Sequence, residues 1–209
     1  MHDGWIVLCE GGRRKGILPT GELPLKGEHN LENALAACAV ADALGVGSAA
    51  LADGLRSFRG VEHRLEQVGN VGAVIFVNDS KATNVDAQEK ALASFSDRVV
   101  LIAGGRDKGA DFTRLVPLLT AAVKAVVLIG EAAEKIEAAW RGRVPLHRAG
   151  SMEEAVDLSY ELARPEGTVL LSPGCASYDM FRNFEDRGRR FRQAVERLRS
   201  RLSREVHAP

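Results

Sequence analysis

The sequence predicts an α/β protein whose main part, about residues 61–209, is a doubly wound, mostly parallel sheet. Three observations carry that expectation. First, Val74–Val77, Val99–Ala103, Ala125–Ile129 and Thr168–Ser172 are short apolar runs without polar alternation, the pattern of strands covered on both faces. Second, amphipathic stretches of helical period separate them, as βαβ units require. Third, the runs end in Gly, Pro or densely polar loops, at the strand edge where open α/β sheets bind ligands.

The elements follow in order. Trp5–Cys9 reads as a strand, Gly11–Gly16 as a Gly/Arg turn, and Ile17–Leu18 as a second extended piece. His29–Leu44 has helical period and stops at Gly45 and Gly47. Ser48 is placed to cap a helix over Ala49–Phe58, and Gly60 closes this first region. Beyond it, Val85–Ser94 reads as a helix, and Asp111 is placed to cap another over Phe112–Ala122. Ala132–Trp140 is the next helix and Val144–His147 a short extended piece. Ser151 and Glu154 form a capping box for a helix ending at Ala163. A long helix covers about Phe181–Leu202.

Composition narrows the function classes. Lys+Arg and Asp+Glu both number 28, so the formal net charge is zero and a basic nucleic-acid platform is not expected. The Arg-rich stretch Arg182–Arg204 reads as a solvated helix face. Three scattered cysteines, Cys9, Cys38 and Cys175, point to a reducing compartment and no disulfide framework. No run is long and apolar enough for a membrane span, and the start lacks signal-peptide character, so a cytoplasmic protein is expected.

Some motifs fail on context. Gly45-Val46-Gly47-Ser48-Ala49-Ala50 mimics a dinucleotide fingerprint, but a helix precedes it where a strand is needed. No P-loop lysine motif, zinc spacing or nucleophile elbow occurs.

The loop Asn78-Asp79-Ser80-Lys81-Ala82-Thr83-Asn84 does not fail. It follows a buried strand and gathers a carboxylate, an ammonium, two hydroxyls and two amides. An Asx turn or helix cap by Asn78 or Thr83 would account for one or two of them, not for the whole set. A lysine held beside an aspartate presents fixed positive charge to an anion.

Together with four other strings this loop resembles the D-glutamate-adding branch of the Mur ligases. In chain order these are Gly27–Asn33, Val61–Arg64, Ile102–Phe112 and Leu171–Gly188. The resemblance covers most of the chain. It implies that about residues 1–60 are the tail of a central ATP-binding domain whose P-loop half is absent, and that 61–209 are the domain that docks the incoming amino acid. It also implies a reaction: a carboxylate of UDP-N-acetylmuramoyl-L-alanine is activated by ATP as an acyl phosphate, then attacked by the amine of D-glutamate. ATP and Mg²⁺ are the implied cofactors, in a monomeric enzyme of the cytoplasm with no nucleic-acid or membrane partner. Without the P-loop, this chain alone is expected not to turn over.

The resemblance also implies roles. Asn30 and Asn33 become nucleotide contacts, where Asn30 alone reads as a helix cap. His63 becomes a catalytic Mg²⁺ ligand, where a lone histidine reads as satisfied in place. Arg64 would meet ATP phosphates, its alternative being an ion pair with Glu62 or Glu66. Asp79 and Lys81 would lie at ribose and phosphates, Lys81 with a catalytic part. Thr83, Lys108, Ser177, Tyr178 and Phe184 would clamp D-glutamate. Their alternatives are a solvated Lys108, a helix-capping Ser177 and a core Phe184. Cys175 is read as inert packing.

Overall fold

The computed structural model describes residues 1–24 and 28–206; the side chains of Glu10, Glu28, His29, Glu205 and Val206 also lie outside the description. Of the Gly27–Asn33 string, therefore, Gly27 and the side chains of Glu28 and His29 fall outside it. The chain divides into two compact units, Met1–Gly60 and Val61–Pro209.

The first unit is an antiparallel hairpin, β1 (Trp5–Glu10) and β2 (Arg13–Pro19), with helices α1 (Glu28–Ala43) and α2 (Ser48–Ser57). The turn is tighter than the Gly/Arg composition suggested, because strand pairing resumes at Arg13 opposite Glu10. Ile6, Leu18, Cys38 and Leu51 lie at the centre of its small core. Ser48 is the first residue of α2, not its cap; Gly47 holds that position without a side-chain hydrogen bond.

The second unit is a six-stranded sheet in the order β3-β4-β8-β5-β6-β7. Its strands are β3 (Glu66–Val71), β4 (Ala73–Asn78), β5 (Val99–Gly104), β6 (Val123–Ile129), β7 (Leu146–Arg148) and β8 (Glu166–Leu171). Only β3 is antiparallel. Its sequence Glu-Gln-Val-Gly-Asn-Val has no apolar alternation, and sequence reasoning passes over it.

Alternation on β5 sorts the core. Val99, Leu101 and Ala103 face one layer, with α3 (Val85–Leu92), α4 (Val116–Ala122) and α5 (Ala133–Trp140). Val100 and Ile102 face the other, with α6 (Met152–Ala163) and α7 (Phe184–Val206). Fully apolar strands are thus covered twice, as their composition requires. The helix expected over Phe112–Ala122 is split. A 3₁₀ turn covers Phe112–Leu115, capped by Asp111 on the Thr113 amide at 2.9 Å, and Pro117 lies in the first turn of α4. Ser151 caps α6 by accepting from the Glu154 amide at 3.1 Å, while the Glu154 carboxylate accepts from Gly150 rather than from the cap residue itself.

The strand order fixes where a site can form. The chain runs from β4 to β5, β6 and β7 on one face, then returns by α6 on the other to insert β8 between β4 and β5. Asn78, Leu171 and Ile102 pair in one row, so the carboxyl ends of β4, β8 and β5 lie side by side at the switch point.

Candidate functional site

Three loops leave that row: Asp79–Asn84 after β4, Gly105–Asp111 after β5 and Ser172–Asn183 after β8. The segment Glu62–Leu65 joins them, because Glu66 pairs with Asn78. His63 and Leu65 have φ of 65° and 43°. These left-handed conformations are unusual for such residues, and they turn the chain sharply on either side of Arg64.

The buried floor is polar. The Asn78 amide donates to His63 Nδ1 at 2.9 Å and to Glu66 Oε2 at 3.2 Å, and its Oδ1 accepts from the Ser80 amide at 3.1 Å. Asp79 accepts from the Ser172 hydroxyl at 2.9 Å and from the Leu65 amide at 3.3 Å. Burial pushes the Asp79 carboxyl up to about 6, against the hydrogen bonds from Ser172 and Leu65 and the charges of Arg64 and Arg187. His63 is only 3% exposed, and its ring stands T-shaped to that of Phe184, centroids 6.1 Å apart. Gly188 of α7 permits that seating, since a β-carbon there would overlap the imidazole.

The loops are cross-braced. Arg106 and Ala176 exchange backbone hydrogen bonds of 2.8 and 3.0 Å, tying the β5 loop to the β8 loop. Gly105, at φ 129°, is required there, because a side chain would overlap the Ala176 carbonyl. Arg106 grips Glu131 through two hydrogen bonds of 3.1 Å. Lys135 of α5 donates to Asp107 at 2.6 Å and to the Ala110 carbonyl at 2.8 Å.

The residues singled out from sequence fall as follows. Asp79, Lys81 and Thr83 share the β4 loop: Asp79 is buried, Thr83 half-buried and Lys81 exposed, its ammonium 5.1 Å from the Phe184 ring centre. Phe184 opens α7, half-buried over His63 and Lys81. Lys108 is exposed on the β5 loop, and Ser177 is buried on the β8 loop beside an exposed Tyr178. Arg64 is exposed; Glu62 and Glu66 pair with Arg192 instead, so the ion-pair alternative does not describe it. The caps also lie elsewhere: Asn84 caps α3 at 2.8 Å, and the Asn183 side chain accepts from Asp186 at 2.7 Å at the start of α7. Lys81, Thr83 and Ser177 are thereby left without a capping task. Asn30 and Asn33 share one face of α1 in the first unit, half-buried and exposed respectively.

Sequence reasoning missed Ser80, Ser172 and Arg187 as parts of the site. Arg187 is fully buried, and the one available signal was its place in the apolar stripe of α7, four residues before Phe191. Cys175 is buried, its thiol pushed up to about 12 by burial and by Asp107, which fits packing rather than chemistry.

As a whole, this edge presents exposed cations on three segments (Arg64, Lys81 and Lys108), with the half-buried Thr83 on the β4 loop and the buried Ser177 on the β8 loop. Such a surface suits an anion with several carboxylate or phosphate oxygens.

Comparison with known proteins bears on that chemistry. Residues 63–175 match the family model described as Mur ligase, glutamate ligase domain. A UDP-N-acetylmuramoylalanine–D-glutamate ligase of Chlorobaculum parvum is 48% identical over 96% of this chain and 44% of its own. The ligase of the same name from Acidobacterium capsulatum is 49% identical over 93% and 43%. The chain thus spans less than half the length of the curated relatives it matches. Among solved structures, a pseudomurein peptide ligase type C from Methanothermus fervidus aligns over 95% of this chain and 41% of its own, at TM-score 0.67 and 18% identity. A Mycobacterium tuberculosis folylpolyglutamate synthase complexed with ADP aligns over 73% and 39%, at TM-score 0.60 and 20% identity. Both show the same fold. The chain belongs to the Mur ligase family and carries its glutamate ligase domain.

Proposed function

We propose that this chain is the amino-acid-docking portion of an ATP-dependent ligase that adds D-glutamate to UDP-N-acetylmuramoyl-L-alanine in peptidoglycan precursor synthesis. The observation that carries the reading is the convergence of Lys81, Thr83, Lys108 and Ser177 on loops at the carboxyl ends of β4, β5 and β8, in a chain nearly half identical to ligases of that name.

D-Glutamate brings two carboxylates and one nucleophilic amine. Lys108 supplies a cation for one carboxylate, and Thr83 and Ser177 supply hydroxyl donors. Tyr178 and Phe184 contribute from the backbone beside them. Held at both carboxylates, the amine has one direction left in which to attack, which is how orientation lowers a barrier. Arg64 and Lys81 are assigned to the phosphates of ATP and Asp79 with Lys81 to its ribose and phosphates; on the first unit, Asn30 and Asn33 are assigned as nucleotide contacts. In this reading residues 1–60 are the carboxyl-terminal part of the ATP-binding domain.

Mg²⁺ would neutralise phosphate charge in the complete enzyme. His63 does not fit as its ligand in this geometry: the ring is buried, and Nδ1 accepts from Asn78. The metal role carried over for His63 is therefore set aside in favour of a structural one, in which it seats Phe184 and braces Asn78.

The test is a ligase assay with UDP-N-acetylmuramoyl-L-alanine, D-glutamate, ATP and Mg²⁺, on this chain and on a form joined to the amino-terminal half that its relatives carry. Activity in the joined form only is the expected result. Product formed by this chain alone would refute the claim that it is catalytically incomplete, and a joined form that folds but makes no product would refute the function.

A further inference from the structure

We infer that Arg187 is a positioning residue that locks the β4 loop, the β8 loop and the start of α7 into one rigid ligand-binding frame. The inference rests on the reading of these loops as the D-glutamate site, and it adds a residue to which no role has been given.

The geometry is specific. Arg187 Nε donates to Ser80 Oγ at 3.0 Å and one terminal nitrogen donates to the Ser80 carbonyl at 2.8 Å. The other terminal nitrogen donates to the Cys175 carbonyl at 3.0 Å. Ser80 Oγ in turn donates to the Phe184 carbonyl at 2.7 Å. One guanidinium therefore holds the residue just before Lys81, the residue two before Ser177, and, through Ser80, the residue that opens α7. Only the planar fork of arginine reaches acceptors on two loops at once; lysine can keep the charge but not the fork.

Burying this charge is costly. Arg187 has no measurable exposure and makes no ion pair among the described residues. Burial pulls its guanidinium down to about 10, against the pull of Cys175, Asp179 and Asp79. An apolar residue would fill this place on α7, between Phe184 and Phe191, at lower desolvation cost. What the arginine supplies instead is a fixed distance between two loops that carry the exposed Lys81 and the buried Ser177.

The test uses this chain as wild type, Arg187→Lys and Ser80→Ala, the last as the milder variant should the first not fold. Amide hydrogen exchange is read at Ser80–Thr83, at Cys175–Ser177 and in β5 and β6, and D-glutamate affinity is read by NMR titration. For Arg187→Lys, exchange in both loops should quicken at least about tenfold while β5 and β6 stay protected, and D-glutamate should bind about tenfold or more weaker, since small misplacements of aligned groups have effects of that order. Ser80→Ala should move both quantities the same way by less. If loop and core protection fall together, the role is structural only and the inference is overturned. Loops that loosen while affinity holds also overturn it. If wild type itself binds no D-glutamate, the reading of the site fails, while the exchange data still decide whether Arg187 joins the loops.

Discussion

Lys135 and Asp107 are joined by a 2.6 Å hydrogen bond, and the same ammonium reaches the Ala110 carbonyl at 2.8 Å, so α5 pins the β5 loop on both sides of Lys108. Arg106 is occupied by Glu131. Of the three consecutive charges Arg106-Asp107-Lys108, only Lys108 has no ion pair among the described residues. Burial pushes the Asp107 carboxyl up, but the Lys135 ammonium and the Ala110 amide outweigh it and hold it below the usual range.

Lys135→Met should therefore weaken D-glutamate binding without unfolding the domain. Lys135 is half-exposed, so the ion pair itself is expected to contribute no more than about 1 kcal/mol to stability. An NMR titration paired with a urea melt checks both parts. An unchanged affinity would show that the loop holds its shape without α5.

Asp79 should titrate near pH 6, the value to which burial raises it. Its ordinary value is 3.8, so between the two the folded state binds the proton more tightly than the unfolded one. Stability should fall as pH rises through that window, by up to about 3 kcal/mol, and level off above it. Carboxyl ¹³C shifts locate the titration, and denaturant melts at several pH values give the slope. Asp79→Asn should flatten that slope; a slope of equal size in the variant would assign it to another group.

Gly188→Ala should destabilise the domain, although alanine is the better helix former by about 1 kcal/mol. The added β-carbon would overlap the His63 ring, and relieving the overlap is expected to cost about 1–3 kcal/mol. A gain in melting temperature would mean that His63 is free to move aside.

Thiol labelling should separate the cysteines. Cys9 is exposed, whereas Cys38 and Cys175 are buried with raised thiols, Cys175 to about 12. At about pH 8 the native protein should label quickly at Cys9 only, and at all three positions once unfolded. Rapid native labelling of Cys175, followed by mass spectrometry, would contradict the packed β8 loop.

Most of the fold was legible because β5 and the Ala125–Ile129 part of β6 are unbroken apolar runs and their loops carry Gly or Asp at the turns. The antiparallel edge strand β3 was not, since an edge strand needs no apolar alternation and Glu66–Val71 shows none. The exposed candidate residues stood out as a motif whose chemistry exceeds what turning a chain requires. The buried frame was not: Ser80 and Arg187 are 107 positions apart, and Arg187 is one arginine among many in a helix whose other arginines, apart from the half-buried Arg192, are exposed. Only its register with Phe191 and Leu198 sets it apart.

The most direct test of the central claim is a titration of the isotope-labelled chain with D-glutamate and, separately, L-glutamate. The account predicts saturable shifts at Thr83, Lys108 and Ser177 with the D-enantiomer, stronger than with the L-enantiomer and lost in Lys108→Ala. Shifts confined to other surfaces, or none at these residues at high millimolar D-glutamate, would contradict it.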